Sequence, residues 1–376
     1  MLVGKPIKYI RQTLHQNPEL SREEEKTAHE ITKYFEAISG YTILNDLGFY
    51  SLVAHKKFGE GPGIAFRAEL DGLPIQEESD LDYRSKKPQK SHACGHDGHM
   101  SILLALAQYL DENPPNSGTV YFIFQSAEET GEGAKAMVES PAFQDLKIDF
   151  CYALHNIPGR EKGMVVSKSG SFACASVGLT AQIVGKTAHA AHPENAINPL
   201  EAAIELWSQV KNLPKNQEID DFALATSIAL HAGEETFGTS PANAKLLVTM
   251  RAAQTEHLDF MMNETQAIAK EISKQTGAEI AIQFQEYFPA TVNADLLQNV
   301  KLACENSETP FMEIEKPFRW SEDFAYFSKK CPTLMFGLGS GIAQPALHAA
   351  DFDFPDEIIE VGKNVFYQLF KIHTGK

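Results

Sequence analysis

Eight consecutive residues, His92-Ala93-Cys94-Gly95-His96-Asp97-Gly98-His99, gather three imidazoles, a thiol and a carboxylate into one short stretch. So many soft and borderline donors in so few positions are best used around a metal ion. Further along, Glu128-Glu129, His155 and His348 each come soon after an apolar run that reads as a β-strand, at 120–124, 150–154 and 333–336. Open α/β sheets assemble sites in this way, from residues at the carboxyl ends of neighbouring strands. The stretch therefore constrains fold and chemistry together, and it points to a metal-dependent hydrolase.

The chain of 376 residues is long enough for two domains. Residues 5–39 carry a helical pattern, with Ser21 and Glu24 spaced as a capping box before the stripe of Ala28, Ile31, Phe35 and Ile38. Residues 63–68 read as a short strand that delivers Glu69 and Asp71 to a turn at Gly72 and Pro74. A 94–99 loop precedes an apolar helix at 100–110, stopped before Pro114-Pro115. The 120–124 run is continuously apolar, as in a strand covered on both faces, and 150–154 repeats it. A fourth strand at 333–336 enters a 337–341 loop ahead of His348. Strands interleaved with helices predict an α/β fold, a mostly parallel sheet with helices on both faces.

Residues 172–286 differ in character. The 177–184 segment alternates, with Leu179, Ala181 and Ile183 on one face. A helix at 199–213, strands at 223–230 and 244–251, a helix at 258–276 and a strand at 278–286 follow. That order predicts an α+β unit, one antiparallel sheet with both helices on one face. Metal-type histidines flank it on both sides. The simplest account is an inserted domain at 172–286 within a catalytic domain made of 1–171 and 287–376.

A net charge of −17 leaves no basic footprint for nucleic acid and argues against an anionic membrane surface. No apolar run approaches the roughly 20 residues that span a bilayer. The opening Met-Leu-Val-Gly-Lys-Pro-Ile-Lys holds no signal-peptide core, so a cytosolic location is expected. The cysteines at 94, 151, 174, 304 and 331 are too few and scattered for a disulfide framework. Four of them read as small buried hydrophobes, and Cys94 stands apart because of its neighbours.

Within the 92–99 motif, the glycines at 95 and 98 allow a turn that aims several donors at one point. The adjacent acids Glu128 and Glu129 suit a division of labour: one carboxylate binds metal while the other acts as general base on a water that the metal activates. With His155 and His348 the donors are N, O and S, a set better matched to Zn²⁺, Co²⁺, Mn²⁺ or Ni²⁺ than to Mg²⁺ or Ca²⁺. A thiolate able to bridge, with four other donors, is enough for two ions per chain. Asp71 either orients a ligand histidine or is a simple turn residue. His189 and His192 lie in a turn after a strand, where surface and catalytic roles are both open. Arg251, ending its strand, is the type of group that grips a carboxylate bidentately, though spacing alone leaves that role open.

Taken together these motifs resemble the aminoacylase/carboxypeptidase family of dinuclear metallohydrolases. Within it they are similar to the amidohydrolase branch of hippurate hydrolase, auxin–amino acid conjugate hydrolases and N-acetyldiaminopimelate deacetylase. The similarity runs nearly end to end. It includes Leu14-His-Gln-Asn-Pro-Glu-Leu20, Arg67-Ala-Glu-Leu-Asp-Gly-Leu-Pro74 and the 92–99 motif. It continues through Ala127-Glu-Glu129, Leu154-His155, the 185–193 turn, Ser321-Glu-Asp-Phe324 and Leu347-His348. The resemblance implies that Cys94, His96, Glu129, His155 and His348 bind two divalent transition-metal ions and that Glu128 activates the water. It implies that His189 reaches the partner subunit's site and stabilises the oxyanion. It also implies a metallopeptidase α/β domain with an inserted lid, through which homodimers form.

Two departures fall in the lid. The family commonly has Asn-Val-Ile-Pro where this chain reads Gly238-Thr-Ser-Pro241, and Met and His where it has His192 and Glu194. These bear on substrate and leave the metal chemistry untouched. The expected protein is a cytosolic, homodimeric, metal-dependent amidohydrolase of N-acyl amino acids, with acetylated diaminopimelate among the candidates. The alternatives are a dipeptidase or carboxypeptidase on the same scaffold and a non-catalytic binding homologue. The chain keeps every ligand and the base, which argues against the last. A deaminase-type zinc enzyme would need a Pro-Cys-x-x-Cys motif that the sequence lacks.

Overall fold

The computed structural model describes residues 2–375. Two compact units are present: residues up to Phe172 with Thr291–Lys316 and the chain from Asp323 onward, and Ala173–Ala290 with Pro317–Glu322.

The first unit is built on an eight-stranded sheet. Its spatial order is Thr42–Leu44, Leu52–Lys57, Thr119–Gln125, Gly63–Glu69, Phe150–Pro158, Thr333–Gly341, Val165–Ser167 and Phe311–Glu313. The four central strands pair in parallel, and the strand on each side of them pairs antiparallel. Period-two alternation sends Ile64, Phe66 and Ala68 into a core shared with the helices Ile7–His15, Glu25–Glu36, His96–Glu112 and Ile358–Thr374. Arg67, between them, turns to the opposite face and meets Gln125 and Asp323. That face is covered by Gly133–Glu139, Pro141–Gln144 and the 3-10 turn Asp323–Lys329. Burial on both faces explains the unbroken apolar strands.

The second unit holds an antiparallel sheet ordered Glu279–Phe288, Ala175–Val184, Asn243–Ala252 and Ala223–Ala232. Val177, Leu179, Ala181 and Ile183 alternate inward and pack with Leu246, Val248 and Met250 under the helices Pro199–Val210 and Thr255–Thr276. The register sets Leu246 opposite Ala181 and Val248 opposite Leu179. Each such aliphatic side chain contributes about 1.5–3 kcal/mol on burial.

Several expectations change. The 5–39 pattern is two helices, Ile7–His15 and Glu25–Glu36, and the second has no side-chain cap. Ser21 and Glu24 do not form a capping box, because their oxygens bond to Asp71 and Ala127 instead. The motif at 94–99 is only partly loop, since His96 already opens the helix that runs to Glu112. Residues 337–341 are strand rather than loop, in parallel register with Phe150–Pro158. Glycine there marks close packing, for a Cβ at Gly337 would lie 2.5 Å from Ile157.

Candidate metal centre and catalytic site

The site of the first unit sits at the carboxyl ends of the central strands. Gly63–Glu69 leads to Asp71, Thr119–Gln125 leads to Glu128 and Glu129, and Phe150–Pro158 contains His155. Cys94 and His96 arrive on either side of Gly95, whose φ of +92° belongs to the left-handed region. A Cβ at Gly95 would lie 2.4 Å from the Asn156 side chain, so only glycine brings this turn so close to the strand. His348 is tied in by its backbone amide, which donates to the Ala93 carbonyl at 2.8 Å.

The donors converge. Cys94 Sγ lies 3.4 Å from His155 Nε2, and His348 Nε2 lies 3.7 Å from Glu129 Oε2. His96 Nε2 stands 4.0 Å from Glu128 Oε2 and 3.9 Å from Glu129 Oε1. Cys94, His96 and His155 offer ligand atoms within 4.8 Å of one another, and so do Cys94, Glu129 and His348. Cys94, His96, Glu129, His155 and His348 are thus brought together, with Glu128 beside them.

Two of the histidines are aimed by their other nitrogen. His96 Nδ1 donates to the Asp71 backbone carbonyl at 2.9 Å, and His155 Nδ1 donates to the Asn156 carbonyl at 2.9 Å. These bonds put the protons on Nδ1 and leave Nε2 as a lone-pair donor. His96 Nε2 is fully buried yet has no hydrogen-bond partner. A buried orphan nitrogen facing two carboxylates and a thiol is the arrangement a cation completes, so these residues fit a transition-metal centre.

Electrostatics agree. Burial, reinforced by Glu129, Glu128 and Glu69, pushes the Cys94 thiol well above its ordinary value. Burial opposes a charge on His96, but Glu69, Asp71 and Glu129 outweigh it and raise the ring to about 10. Both shifts report a strongly negative potential in a dry pocket, which favours a cation.

Further groups surround the donors. Asp71 is fully buried, and its Oδ2 accepts from Ser21 Oγ at 2.7 Å and from the Glu129 amide at 3.0 Å. His99 joins Glu69 at 2.7 Å and Asn156 at 2.7 Å, and Arg67 pairs with Glu69. The Asp97 carboxylate turns away from the donors to His15, at 2.8 Å, and to Arg11. His92 is buried with neither ring nitrogen bonded.

His189 and Arg251 belong to the second unit. His189 is exposed, and its Nδ1 accepts from the Ala191 amide at 3.1 Å, which places the ring proton on Nε2. Its turn is laced to the 238–241 loop through Ala190 to Gly238 and Ala188 to Ser240. His192 pairs with Glu194 at 3.3 Å. Arg251 donates from Nη1 to the Arg319 carbonyl at 3.0 Å and Ser321 Oγ at 2.9 Å. No carboxylate among the described residues pairs with it, and burial lowers its pKa.

The pattern of peptidase family M20/M25/M40 matches residues 65–372. An N-acetyldiaminopimelate deacetylase of Lacticaseibacillus paracasei is 32% identical over 359 residues, 93% of this chain and 92% of that protein. A hippurate hydrolase of Campylobacter jejuni is 31% identical over 96% of this chain and 94% of its own. A crystal structure of a dinuclear metal binding M20 peptidase from Bacillus subtilis superposes with a TM-score of 0.82. It has 26% identity and covers 97% of this chain and 96% of that one. The chain belongs to peptidase family M20/M25/M40 and is a hydrolase of carbon–nitrogen bonds that uses divalent metal.

Proposed function

We propose that the chain is a cytosolic, homodimeric amidohydrolase that cleaves the amide of an N-acyl amino acid. Acetylated diaminopimelate is one candidate substrate. The observation that carries the reading is the position of Cys94. Its sulfur belongs at once to the group with His96 and His155 and to the group with Glu129 and His348. A thiolate shared by two donor sets would let these residues hold two ions, and the N, O and S donors suit Zn²⁺, Co²⁺, Mn²⁺ or Ni²⁺.

When bound, the ions supply Lewis-acid polarisation of the amide carbonyl and lower the pKa of a water. Glu128 is the general base: its carboxylate takes the water's proton and returns it to the leaving amine. Glu129 ligates, with its amide held by Asp71. Asp71 also orients His96 through its carbonyl. His189 donates from Nε2 to the oxyanion, and Arg251, without an acidic partner, receives the substrate carboxylate.

The inserted unit serves as lid and dimer interface. Its edge strand Ala223–Ala232 contains no Asp, Glu, Lys or Arg and exposes Leu224, Ile228 and Leu230. A long uncharged apolar edge calls for pairing, which a second copy provides. The cytosolic reading rests on five free, buried cysteines.

Metal-loaded enzyme assayed on N-acetyl and N-benzoyl amino acids and on dipeptides tests the function. Turnover of the N-acyl compounds is expected, and a clear preference for dipeptides would replace the reading with a peptidase. Glu128→Gln should keep its metal and lose at least ~10²-fold in kcat. Glu129→Gln should lose metal affinity, and the opposite pattern would exchange the two roles.

A further inference from the structure

The turn that carries Glu128 has an unusual backbone. Ala127, just before it, has a φ of +52°, the left-handed region that a residue with a Cβ adopts only when its surroundings impose it. Its carbonyl accepts from the Gly133 amide at 3.0 Å and the Glu132 amide at 3.2 Å, closing the turn on itself. Its own amide donates at 2.7 Å to Glu24 Oε1, a residue 103 positions earlier in the chain.

Glu24 is fully buried, and its Oε2 has no hydrogen-bond partner. Burying a carboxylate this way is unfavourable, and burial together with Asp71 raises its pKa to about 7. An apolar residue here would spare that cost but leave the buried Ala127 amide without its acceptor. The compensation lies in the turn. Two residues on, the Glu129 amide is held by the Asp71 carboxylate at 3.0 Å. The amides on either side of Glu128 are therefore each gripped by a buried acid.

Both acids are set by one N-terminal strap. Ser21 Oγ donates to Asp71 Oδ2 at 2.7 Å, the Glu19 carbonyl accepts the Gly72 amide at 2.8 Å, and Leu20 bridges to Gly72. The strap thus ties the Asp71 turn and the Glu128 turn together.

We propose that Glu24 is a positioning residue for catalysis, holding the Ala127 amide so that the Glu128 carboxylate is presented at the metal centre. The inference rests on the role assigned above to Glu128. What Glu24 supplies is an acceptor oxygen at a fixed place; its charge is incidental. Misplacing a reacting group by about 1 Å costs on the order of 10²-fold in rate, so the acceptor is worth a measurable part of kcat.

The test compares Glu24→Gln, which keeps the acceptor, with Glu24→Ala, which removes it, and with Glu24→Asp, which is one methylene too short to reach. Each metal-loaded variant is assayed for kcat and KM on N-acetyl-L-methionine and N-benzoylglycine. Metal content is measured by elemental analysis, and hydrogen exchange is followed in the 126–133 segment. Glu24→Gln should stay within about twofold of the parent in kcat and exchange. Glu24→Ala and Glu24→Asp should lose roughly 10- to 100-fold in kcat with KM and metal content unchanged, and their 126–133 amides should exchange faster. Parent-like kcat and exchange in the two shortened variants would overturn the proposal, as would a Gln variant as impaired as they are. If Glu24→Ala does not fold, Glu24→Asp decides alone. A parent enzyme inactive on every N-acyl compound would sink the functional reading, while the exchange comparison would still decide the clamp.

Discussion

The backbone carbonyl of Asp71 accepts the Nδ1 proton of His96 at 2.9 Å, and this bond decides which ring nitrogen faces the donor cluster. The same residue's carboxylate holds the Glu129 amide at 3.0 Å. One acid therefore aims an imidazole with its main chain and anchors a carboxylate with its side chain.

Replacing that side chain should loosen the centre without emptying the fold. Asp71→Ala is expected to weaken metal binding about 10- to 100-fold, the usual effect of removing a group that orients a ligand. Competition with a chelator measures it. An unchanged affinity would reduce Asp71 to a turn residue.

Cys94 is assigned to both donor groups, so its loss should be more damaging than that of a terminal ligand. Protein purified from metal-replete medium should carry up to two transition-metal ions per chain, and Cys94→Ala should lose one or both. A full complement in that variant by elemental analysis would remove the cysteine from the centre.

His189 is exposed, with its ring proton directed to Nε2 by the Ala191 amide. A donor to an oxyanion is worth roughly 3 kcal/mol, so His189→Ala should lower kcat by ~10²-fold with metal content intact. If the residue acts across a dimer, mixing this variant with inactive Glu128→Gln should restore activity, because each mixed dimer then has one site with both groups. Subunit exchange seen by mass spectrometry without recovered activity would place His189 in its own chain's site or in none.

Glu24 also predicts a pH signature. Its folded pKa of about 7 lies above the ordinary 4.5, chiefly through burial and then through Asp71. A raised carboxyl contributes stability below pH 4.5 and loses it as pH climbs through 7, where the native state must hold a buried charge. Glu24→Gln escapes that penalty. Its unfolding free energy, read from denaturant titration, should exceed the parent's at pH 8 by roughly 3 kcal/mol, and the gap should close below about pH 4.5. A gap that does not vary with pH would mean that Glu24 is an ordinary carboxylate.

The elements legible in the sequence were those whose signals are local. Unbroken apolar runs announced the central strands, because a strand covered on both faces has no polar side. The alternation of Leu179, Ala181 and Ile183 announced a sheet with one buried face. The spacing of Ser21 and Glu24 fits a helix cap equally well, and nothing nearby in the chain says that both oxygens are engaged elsewhere. Glycines 337 and 339 read as a loop, yet they lie in a strand because neighbouring side chains and backbone leave no room for a Cβ.

By itself the sequence determined which donor atoms exist, which strands carry them and in what order they are delivered, since residue chemistry and hydrophobic period are properties of short stretches. Only the tertiary structure decided how those donors are aimed. The partners that hold them, Asp71 for His96 and Glu24 for the Ala127 turn, are matched by geometry. Hydrogen bonding between groups far apart in the chain depends on the packing of the whole sheet and leaves no periodic trace in the residues that make it.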